Sequence, residues 1–166
     1  GTVVLLSGFD PEAILKSIAE EKITVTHMAP TMIQSLLDSP KAGVTDISSL
    51  RMIVYAAAPM PLPVLKRGLK MFGPVFQQQF GQTEGVGTTL LAHQHKPDGT
   101  ARDLEILTSV GQASPRVGLR IVDDAGNDLP PGEVGEILLT SPGVMKGYWN
   151  NTAATIETLR EGWVHT

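Results

Sequence analysis

The segment Gln77–Gly87 places one hydroxyl and one carboxylate side by side in a glycine-rich stretch, Gln-Gln-Gln-Phe-Gly-Gln-Thr-Glu-Gly-Val-Gly. Thr83 can donate a hydrogen bond to a phosphate oxygen, and Glu84 carries the hard oxygen ligands that Mg²⁺ prefers. Gly81 lets the backbone approach a bound molecule closely, and the ring of Phe80 can lie against a purine. These residue types in this order suit a nucleotide site, whereas the default interpretation of such a stretch on its own is an ordinary solvated loop.

Apolar runs on the N-terminal side of these residues predict the strands that must position them. Val75–Phe80 is expected to be a strand that breaks at Gly81 into a loop. A second apolar run, Leu50–Tyr55, leads into the small residues of Ala56–Pro59. Three alanines after a strand leave room for a ligand against the backbone, and tight core packing is the alternative explanation.

Helices are predicted between the strands of the first half. Asp10 is placed to cap the first of them, followed by Pro11 at a position where no backbone N–H is needed. Strands that alternate with helices predict a parallel sheet over Gly1–Leu91. Ligands bind beyond the carboxyl ends of such strands, so we expect the loops after Tyr55 and Phe80 to share one site. The predicted strands are Thr2–Leu6, Ile23–His27, Leu50–Tyr55 and Val75–Phe80, and the predicted helices begin near Asp10, Pro30 and Pro61.

The pattern changes after residue 91. His93–Glu105 is polar and predicts a long exposed loop, in which His93 and His95 are expected to be solvated. Short strands joined by turns follow it, and Asn150–Leu159 predicts a short helix. We therefore expect an α/β fold: a parallel strand–helix subdomain over 1–91, a connecting loop over 92–108, and a small antiparallel, β-barrel-like subdomain over 109–166 that ends in a short helix. The predicted strands of the last part are Val117–Asp123 and Glu133–Thr140, joined by turns at Asp124–Asn127 and Pro130–Gly132.

Composition narrows the class of protein. The 166 residues are enough for about one domain, and the 42% hydrophobic content supports a core. A formal net charge of −4 without a basic block gives no electrostatic support for nucleic-acid binding. The absence of cysteine excludes a disulfide framework and a cysteine nucleophile, and it is compatible with the cytoplasmic location that we expect. No apolar run approaches the roughly 18 residues of a transmembrane helix, and the start at Gly1 without a methionine suggests a missing N-terminus.

Several segments together resemble the AMP-forming acyl-adenylate superfamily, which includes acyl-CoA synthetases, luciferases and the adenylation domains of peptide synthetases. Phe80–Glu84 is similar to its Tyr-Gly-x-Thr-Glu motif, and Ala56–Pro59 to its Gly-Gly-Ala-Pro segment. Gly132–Glu136 followed by Gly147–Asn150 is similar to its Gly-Glu and Gly-Tyr-x-Asn motif. Glu161–Thr166 resembles the start of its Gly-Trp-x-x-Thr-Gly-Asp motif. The order and spacing agree over nearly the whole chain, and the first 37 residues resemble the fatty-acyl branch.

The resemblance implies a role for each residue that matches a motif. Thr83 would bind the α-phosphate of ATP, and Glu84 would bind Mg²⁺; these two are the expected catalytic residues. Phe80 would stack on the adenine. The other expected nucleotide contacts are Ala57, Ala58 and Pro59 along the adenine, and Gln79, Gly81 and Gln82 around the pocket.

The chemistry that the resemblance implies has two steps. A carboxylate attacks the α-phosphate of ATP to give acyl-AMP and pyrophosphate, and the thiol of coenzyme A then displaces AMP. The approach of two anions requires a cation and fixed donors, which are the groups that Glu84 and Thr83 would supply or bind. The expected substrate is a fatty acid, whose apolar chain Met28 and Met32 could line unless they are core filler.

Three departures from the family pattern affect the expected activity. Phe80 stands where tyrosine is commoner, and Ala56 and Ala57 stand where the family has glycine. The family's phosphate loop, its ribose-binding Gly-Asp and its C-terminal domain with a catalytic lysine have no match in these residues. The chain is therefore expected to be the second half of a large N-terminal domain, to depend on the other parts of the same enzyme, and to be inactive alone. The alternatives are an aryl- or aminoacyl-adenylating enzyme that loads a carrier protein, and a non-catalytic nucleotide-binding module of the same fold.

Overall fold

Two β-sheets and five α-helices make up the computed structural model, which describes residues 1–166. The helices are α1 (Pro11–Glu20), α2 (Pro30–Asp38), α3 (Leu62–Phe72), α4 (Ala101–Leu107) and α5 (Thr152–Thr158), with a 3₁₀ turn at Ala92–Gln94. The strands are β1 (Val25–Met28), β2 (Met52–Tyr55), β3 (Phe76–Gln82), β4 (Gly85–Leu90), β5 (Gln112–Ala113), β6 (Gly118–Val122), β7 (Glu136–Thr140), β8 (Leu159–Arg160) and β9 (Trp163–His165).

The first sheet has the strand order β1-β2-β3-β4-β5. β1 pairs with β2 in parallel, with Val25 opposite Met52, and β2 pairs with β3 in parallel, with Ile53 opposite Phe76. The crossovers between these strands contain α2 and α3, as a parallel connection requires. β4 and β5 pair antiparallel. The predicted α/β fold with a parallel sheet is confirmed.

The second sheet is antiparallel, small and open. Its strand order is β6-β7-β9-β8, and each neighbouring pair is antiparallel. Glu161 and Gly162, both with positive φ (51° and 81°), form the two-residue turn between β8 and β9. The predicted antiparallel sheet is confirmed, and it does not close into a barrel.

Two compact units divide the chain, and they are interleaved along the sequence. One contains Gly1–Gln78 and Leu90–Gly111, and the other contains Gln79–Thr89 and Gln112–Thr166. The subdomains predicted over 1–91 and 109–166 are continuous stretches and stay a prediction.

Capping and apolar periodicity explain the helices of the first unit. The Asp10 side chain accepts a hydrogen bond from the N–H of Ala13 at 2.7 Å, which confirms the predicted cap of α1. The apolar side of this helix buries Leu15 and Ile18. Together with Ile33 they belong to the core of the unit, where each fully buried side chain of this size stabilises the fold by about 1.5–3 kcal/mol.

Aromatic side chains fill the centre of the same core. Phe76 is fully buried, and its ring meets the rings of Tyr55 and Phe72 edge-on at centroid distances of 6.1 and 6.0 Å. A Cβ atom at Gly68 of α3 would lie 2.8 Å from the Phe76 ring, so glycine lets the helix pack closely on the sheet. This packing fixes the start of β3, the strand that leads to Thr83 and Glu84.

Two of the predicted elements are wrong. Thr2–Leu6 is not a strand, and Val3 and Leu5 are largely exposed, because no strand of the chain pairs with this segment. The predicted connecting loop over 92–108 contains α4, whose N-cap Thr100 accepts from the N–H of Asp103 while the Asp103 carboxylate accepts from the N–H of Thr100. This reciprocal cap compensates for the polar character that suggested a loop.

Candidate functional site

Thr83 and Glu84 form the two-residue turn of a β-hairpin rather than an open loop. β3 continues through Gln82, and β4 begins at Gly85. The predicted break at Gly81 is therefore wrong, because Gly81 lies within β3. A Cβ atom there would lie 2.8 Å from the Cα of Val86 on the facing strand, so the glycine permits the close approach of the two strands. The hairpin presents Thr83, which is exposed, and Glu84, which is partly buried, at its tip.

Phe80 packs across the hairpin. A Cβ atom at Gly87 would lie 3.1 Å from Cδ1 of the Phe80 ring and 3.0 Å from the Leu139 side chain. Phe80 is half-buried, as is Gln79, whereas Gly81 and Gln82 are exposed. The absence of a side chain at Gly87 thus makes room for the Phe80 ring, the group predicted to meet a purine.

Tyr148 reaches Glu84 from a segment far along the chain. Its phenol donates a hydrogen bond to Oε1 of Glu84 at 2.5 Å, and the N–H of Met145 donates to the Glu84 carbonyl at 2.8 Å. The Tyr148 hydrogen bond, with a smaller contribution from the backbone N–H of Glu84 itself, holds the pKa of the Glu84 carboxyl below its usual value. The carboxylate is therefore ionised at neutral pH and fixed by a neutral donor.

A local hydrogen-bond network fixes the backbone of Tyr148. Its N–H donates to Oγ1 of Thr155 at 2.9 Å, and that hydroxyl donates to the Asn151 carbonyl at 2.8 Å. The Asn151 side chain caps α5 by accepting from the N–H of Ala154, in agreement with the predicted cap at Asn150 or Asn151. A Cβ atom at Gly147 would lie 2.9 Å from Thr155, so the Gly-Tyr pair fits closely on α5. The sequence identifies Gly147–Asn150 as similar to a family motif, but it predicts no role for Tyr148.

The alanine segment follows β2 in the first unit. Ala57, Ala58 and Pro59 are exposed, so the alternative of tight core packing is wrong for them. Ala57 has φ of 73°, in the left-handed region that favours glycine. An alanine thus stands in strained backbone at the position where the family motif has glycine.

We predict that Ala57→Gly stabilises the protein by a few tenths to about 1 kcal/mol. Left-handed backbone costs an L-residue roughly 1–2 kcal/mol, and the greater freedom of an unfolded glycine offsets roughly 0.5–1 kcal/mol of the gain. The matched control is Ala58→Gly, because Ala58 has no positive φ and should lose stability. Urea unfolding of the two variants beside the unaltered protein checks the opposite signs, and equal destabilisation by both would contradict the strain at Ala57.

A buried amide of β3 lacks a hydrogen-bond partner. Gln78 of β3 is buried, and its Oε1 has no hydrogen-bond donor in the chain. Buried polar atoms are nearly always satisfied, so this acceptor is expected to pair with a buried water. The contacts predicted from the sequence begin at Gln79 and do not include Gln78.

The first unit also contains a cavity of about 880 Å³. The cavity is lined by residues of the N-terminal segment, of α1 and of β1. Met28 is buried and lies at the cavity wall together with Met32 and His27. The expectation that Met28 and Met32 line an apolar substrate channel stays a proposal.

His95 is buried, so the prediction that it is solvated is wrong. One ring nitrogen, Nδ1, lies 2.9 Å from the Leu91 carbonyl, and Nε2 lies 3.0 Å from the Tyr55 hydroxyl. The carbonyl can only accept, so Nδ1 carries the proton and Nε2 accepts from Tyr55. Burial lowers the pKa of His95, which keeps the ring neutral.

No group of three or more histidine, cysteine, aspartate or glutamate side chains is arranged to hold a metal ion. Glu84 alone nevertheless fits Mg²⁺ bound with a nucleotide, because Mg²⁺ in such sites takes one or two carboxylates and completes its shell with phosphates and water. None of the helices has the length and apolar character required to cross a membrane.

The chain is similar to proteins of one enzyme family over most of its length. The AMP-binding enzyme family matches residues 1–149. Feruloyl-CoA synthase of an Amycolatopsis species is 38% identical over 166 residues, which are 100% of this chain and 32% of that protein. The medium/long-chain-fatty-acid–CoA ligase FadD8 of Mycobacterium tuberculosis is 36% identical over 168 residues, 100% of this chain and 28% of that protein.

Solved structures show the same relationship. The amide bond synthetase McbA from Marinactinospora thermotolerans has a TM-score of 0.90 and 38% identity, covering 100% of this chain and 33% of McbA. ATP-bound MatB from Rhodopseudomonas palustris has a TM-score of 0.78 and 28% identity, covering 98% of this chain and 31% of MatB. The chain belongs to the AMP-binding enzyme family, whose relatives include AMP-forming CoA ligases, and it spans about a third of the length of these relatives.

Proposed function

We propose that the chain is a segment of an ATP-dependent, AMP-forming ligase that adenylates a carboxylic acid and transfers the acyl group to coenzyme A. One observation carries the proposal: Glu84 accepts a hydrogen bond from Tyr148 at the tip of a tight hairpin, beside the exposed hydroxyl of Thr83. A fixed anion and a hydroxyl at one turn suit a cation and a phosphate. Membership of the AMP-binding enzyme family supports this use of the turn.

Thr83 and Glu84 divide the work at the phosphates in this proposal. Thr83 donates a hydrogen bond from its hydroxyl to the α-phosphate and so orients the phosphorus for attack. Glu84 holds Mg²⁺ by its carboxylate. The cation, when bound, offsets the negative charge that develops on the departing pyrophosphate. Both residues are expected to act mainly by position and charge, since neither needs to exchange a proton.

The base contacts are proposed for two segments, one at the end of β3 and one that follows β2. Phe80 offers the half-buried ring on which adenine stacks, and the backbone of Gln79–Gln82 shapes the pocket around it. Ala57–Pro59 are small and exposed, which suits contact with the edge of a flat base.

The acid is proposed to be a fatty acid, with an aryl acid as the second candidate. The named relatives include both a fatty-acid–CoA ligase and a feruloyl-CoA synthase at nearly equal identity. The cavity beside Met28 and Met32 has a mixed lining that also includes Glu21, so the two methionines suit only an apolar part of the substrate. McbA is named as an amide bond synthetase. Transfer of the acyl group to coenzyme A is therefore proposed separately from the adenylation of the acid.

Acid-dependent ATP–pyrophosphate exchange tests the proposed function. We expect a longer polypeptide that contains this chain to show exchange with a fatty or aryl acid, and thioester formation when coenzyme A is added. The 166-residue chain alone should show no exchange, because it spans about a third of the length of its relatives. Absence of exchange from the longer polypeptide with every acid of a chain-length and aryl series would favour a non-catalytic nucleotide-binding module.

A further inference from the structure

The side chain of Glu84 requires external support to act as a cation ligand. A glutamate has several rotatable bonds, and fixing it costs up to about 2 kcal/mol of side-chain entropy. The hairpin fixes only its backbone, with the carbonyl accepting from Met145. Without a further partner, a bound cation would have to select one orientation of the carboxylate among many.

Tyr148 supplies that support from a segment whose backbone is hydrogen-bonded to α5. Its backbone N–H is tied to Thr155, and its phenol donates to Oε1 of Glu84. The backbone of Tyr148 is therefore fixed on α5, and its phenol reaches Glu84 from there.

The chemical type of the partner matters as much as its position. A lysine or arginine would fix the carboxylate but also neutralise it and repel a divalent cation. Tyr148 is a neutral donor, and no salt bridge of the structure involves Glu84. The net negative charge of Glu84 thus remains available for the cation while its direction is fixed.

We propose that Tyr148 is a positioning residue that orients the Glu84 carboxylate for the divalent cation of the bound nucleotide. This proposal rests on the proposed function, because it assumes that Glu84 is the cation ligand. Partners of metal ligands commonly change metal affinity by about 10–100-fold when they are removed. Tyr148 acts through Glu84 and needs no contact with the substrate.

The test measures Mn²⁺ binding by electron paramagnetic resonance in the longer polypeptide saturated with a non-hydrolysable ATP analogue. For Tyr148→Phe we expect a Mn²⁺ dissociation constant raised about 10-fold. The Mg²⁺ concentration for half-maximal pyrophosphate exchange should rise in parallel, while kcat at saturating Mg²⁺ changes little. The matched control is Trp149→Phe, since Trp149 is the adjacent aromatic residue and is 92% exposed.

A double variant separates positioning from a general effect on folding. In a Glu84→Gln background, adding Tyr148→Phe should change Mn²⁺ affinity no further. If Tyr148→Phe does not fold, Thr155→Val replaces it, because it removes the acceptor of the Tyr148 N–H and should weaken Mn²⁺ binding in the same direction. Unchanged Mn²⁺ affinity in a folded variant of either kind overturns the proposal. Unchanged affinity in Glu84→Gln itself instead overturns the cation role of Glu84 and with it that part of the proposed function.

Discussion

Glu84→Gln is expected to lower acid-dependent ATP–pyrophosphate exchange by at least about 100-fold, the loss typical when a group that stabilises transition-state charge is removed. The substitution preserves size and shape and removes only the negative charge. The amide oxygen of glutamine can still accept from the phenol of Tyr148, so the hairpin should keep its structure. The loss should therefore appear in kcat/KM and in Mg²⁺ dependence, with little change in Tm.

Two further variants show whether the loss of exchange comes from the missing negative charge at position 84. Glu133→Gln is the matched control, because Glu133 is an exposed glutamate near another turn of the same unit, and its exchange rate should equal that of the unaltered protein. Glu84→Asp keeps the charge but shortens the side chain. Its exchange rate should therefore lie between those of Glu84→Gln and the unaltered protein. Exchange retained by Glu84→Gln at ordinary Mg²⁺ would show that another group binds the cation.

The two sheets were predictable because their strands and turns use local rules. Asp10 caps α1 as expected, and the Asp124–Asn127 turn forms with Gly126 at φ of 84°. Strands that alternate with helices gave the parallel pairs β1–β2 and β2–β3. In each case the residues that decide the structure lie within a few positions of one another, so pattern and propensity agree with the final fold.

β4 could not be predicted from propensity. Its sequence begins Gly85-Val86-Gly87, and glycine is depleted in strands because it has no side chain to pack and has more backbone freedom to lose. The hairpin uses those glycines for contact: Gly87 makes room for Phe80, and Gly85 faces Val144 and Val164. Only the packed structure shows why the strand tolerates them.

The hydrogen bond between Tyr148 and Glu84 could not be predicted from the sequence. Tyr148 is 64 positions away from Glu84, and no local rule connects them. The same holds for His95 and Tyr55, which are 40 positions apart. A short polar segment predicted a solvated histidine, whereas the tertiary fold buries it. The motifs of a site were thus readable from sequence, but the hydrogen bonds that orient its side chains were not.

The buried pair of Tyr55 and His95 is expected to control much of the acid sensitivity of the first unit. His95 is neutral in the folded protein because burial lowers its pKa, whereas an unfolded histidine titrates near 6.5. Below pH 6.5 the unfolded chain therefore binds more protons than the folded one. Stability should be complete above about pH 6.5 and should fall as the pH is lowered from there to the depressed folded pKa.

Urea unfolding between pH 5 and 8, followed by circular dichroism, checks this dependence. His95→Gln should flatten the profile between pH 5 and 6.5 while lowering stability at pH 8. His93→Gln is the matched control, because His93 is exposed two positions away and should leave the profile unchanged. A slope that survives in His95→Gln would assign the acid sensitivity to other groups.

Tyr55→Phe isolates the hydrogen bond from the titration. It removes one oxygen atom and leaves Nε2 of His95 buried without its donor, which should cost about 1–3 kcal/mol at pH 8. The ring contact of residue 55 with Phe76 is retained, so the loss should come from the unsatisfied nitrogen rather than from packing. The double variant Tyr55→Phe with His95→Leu removes both polar groups and should recover part of the loss, since no buried polar atom of the pair is then left unpaired. Additive losses in the double variant would contradict the coupling of the two side chains.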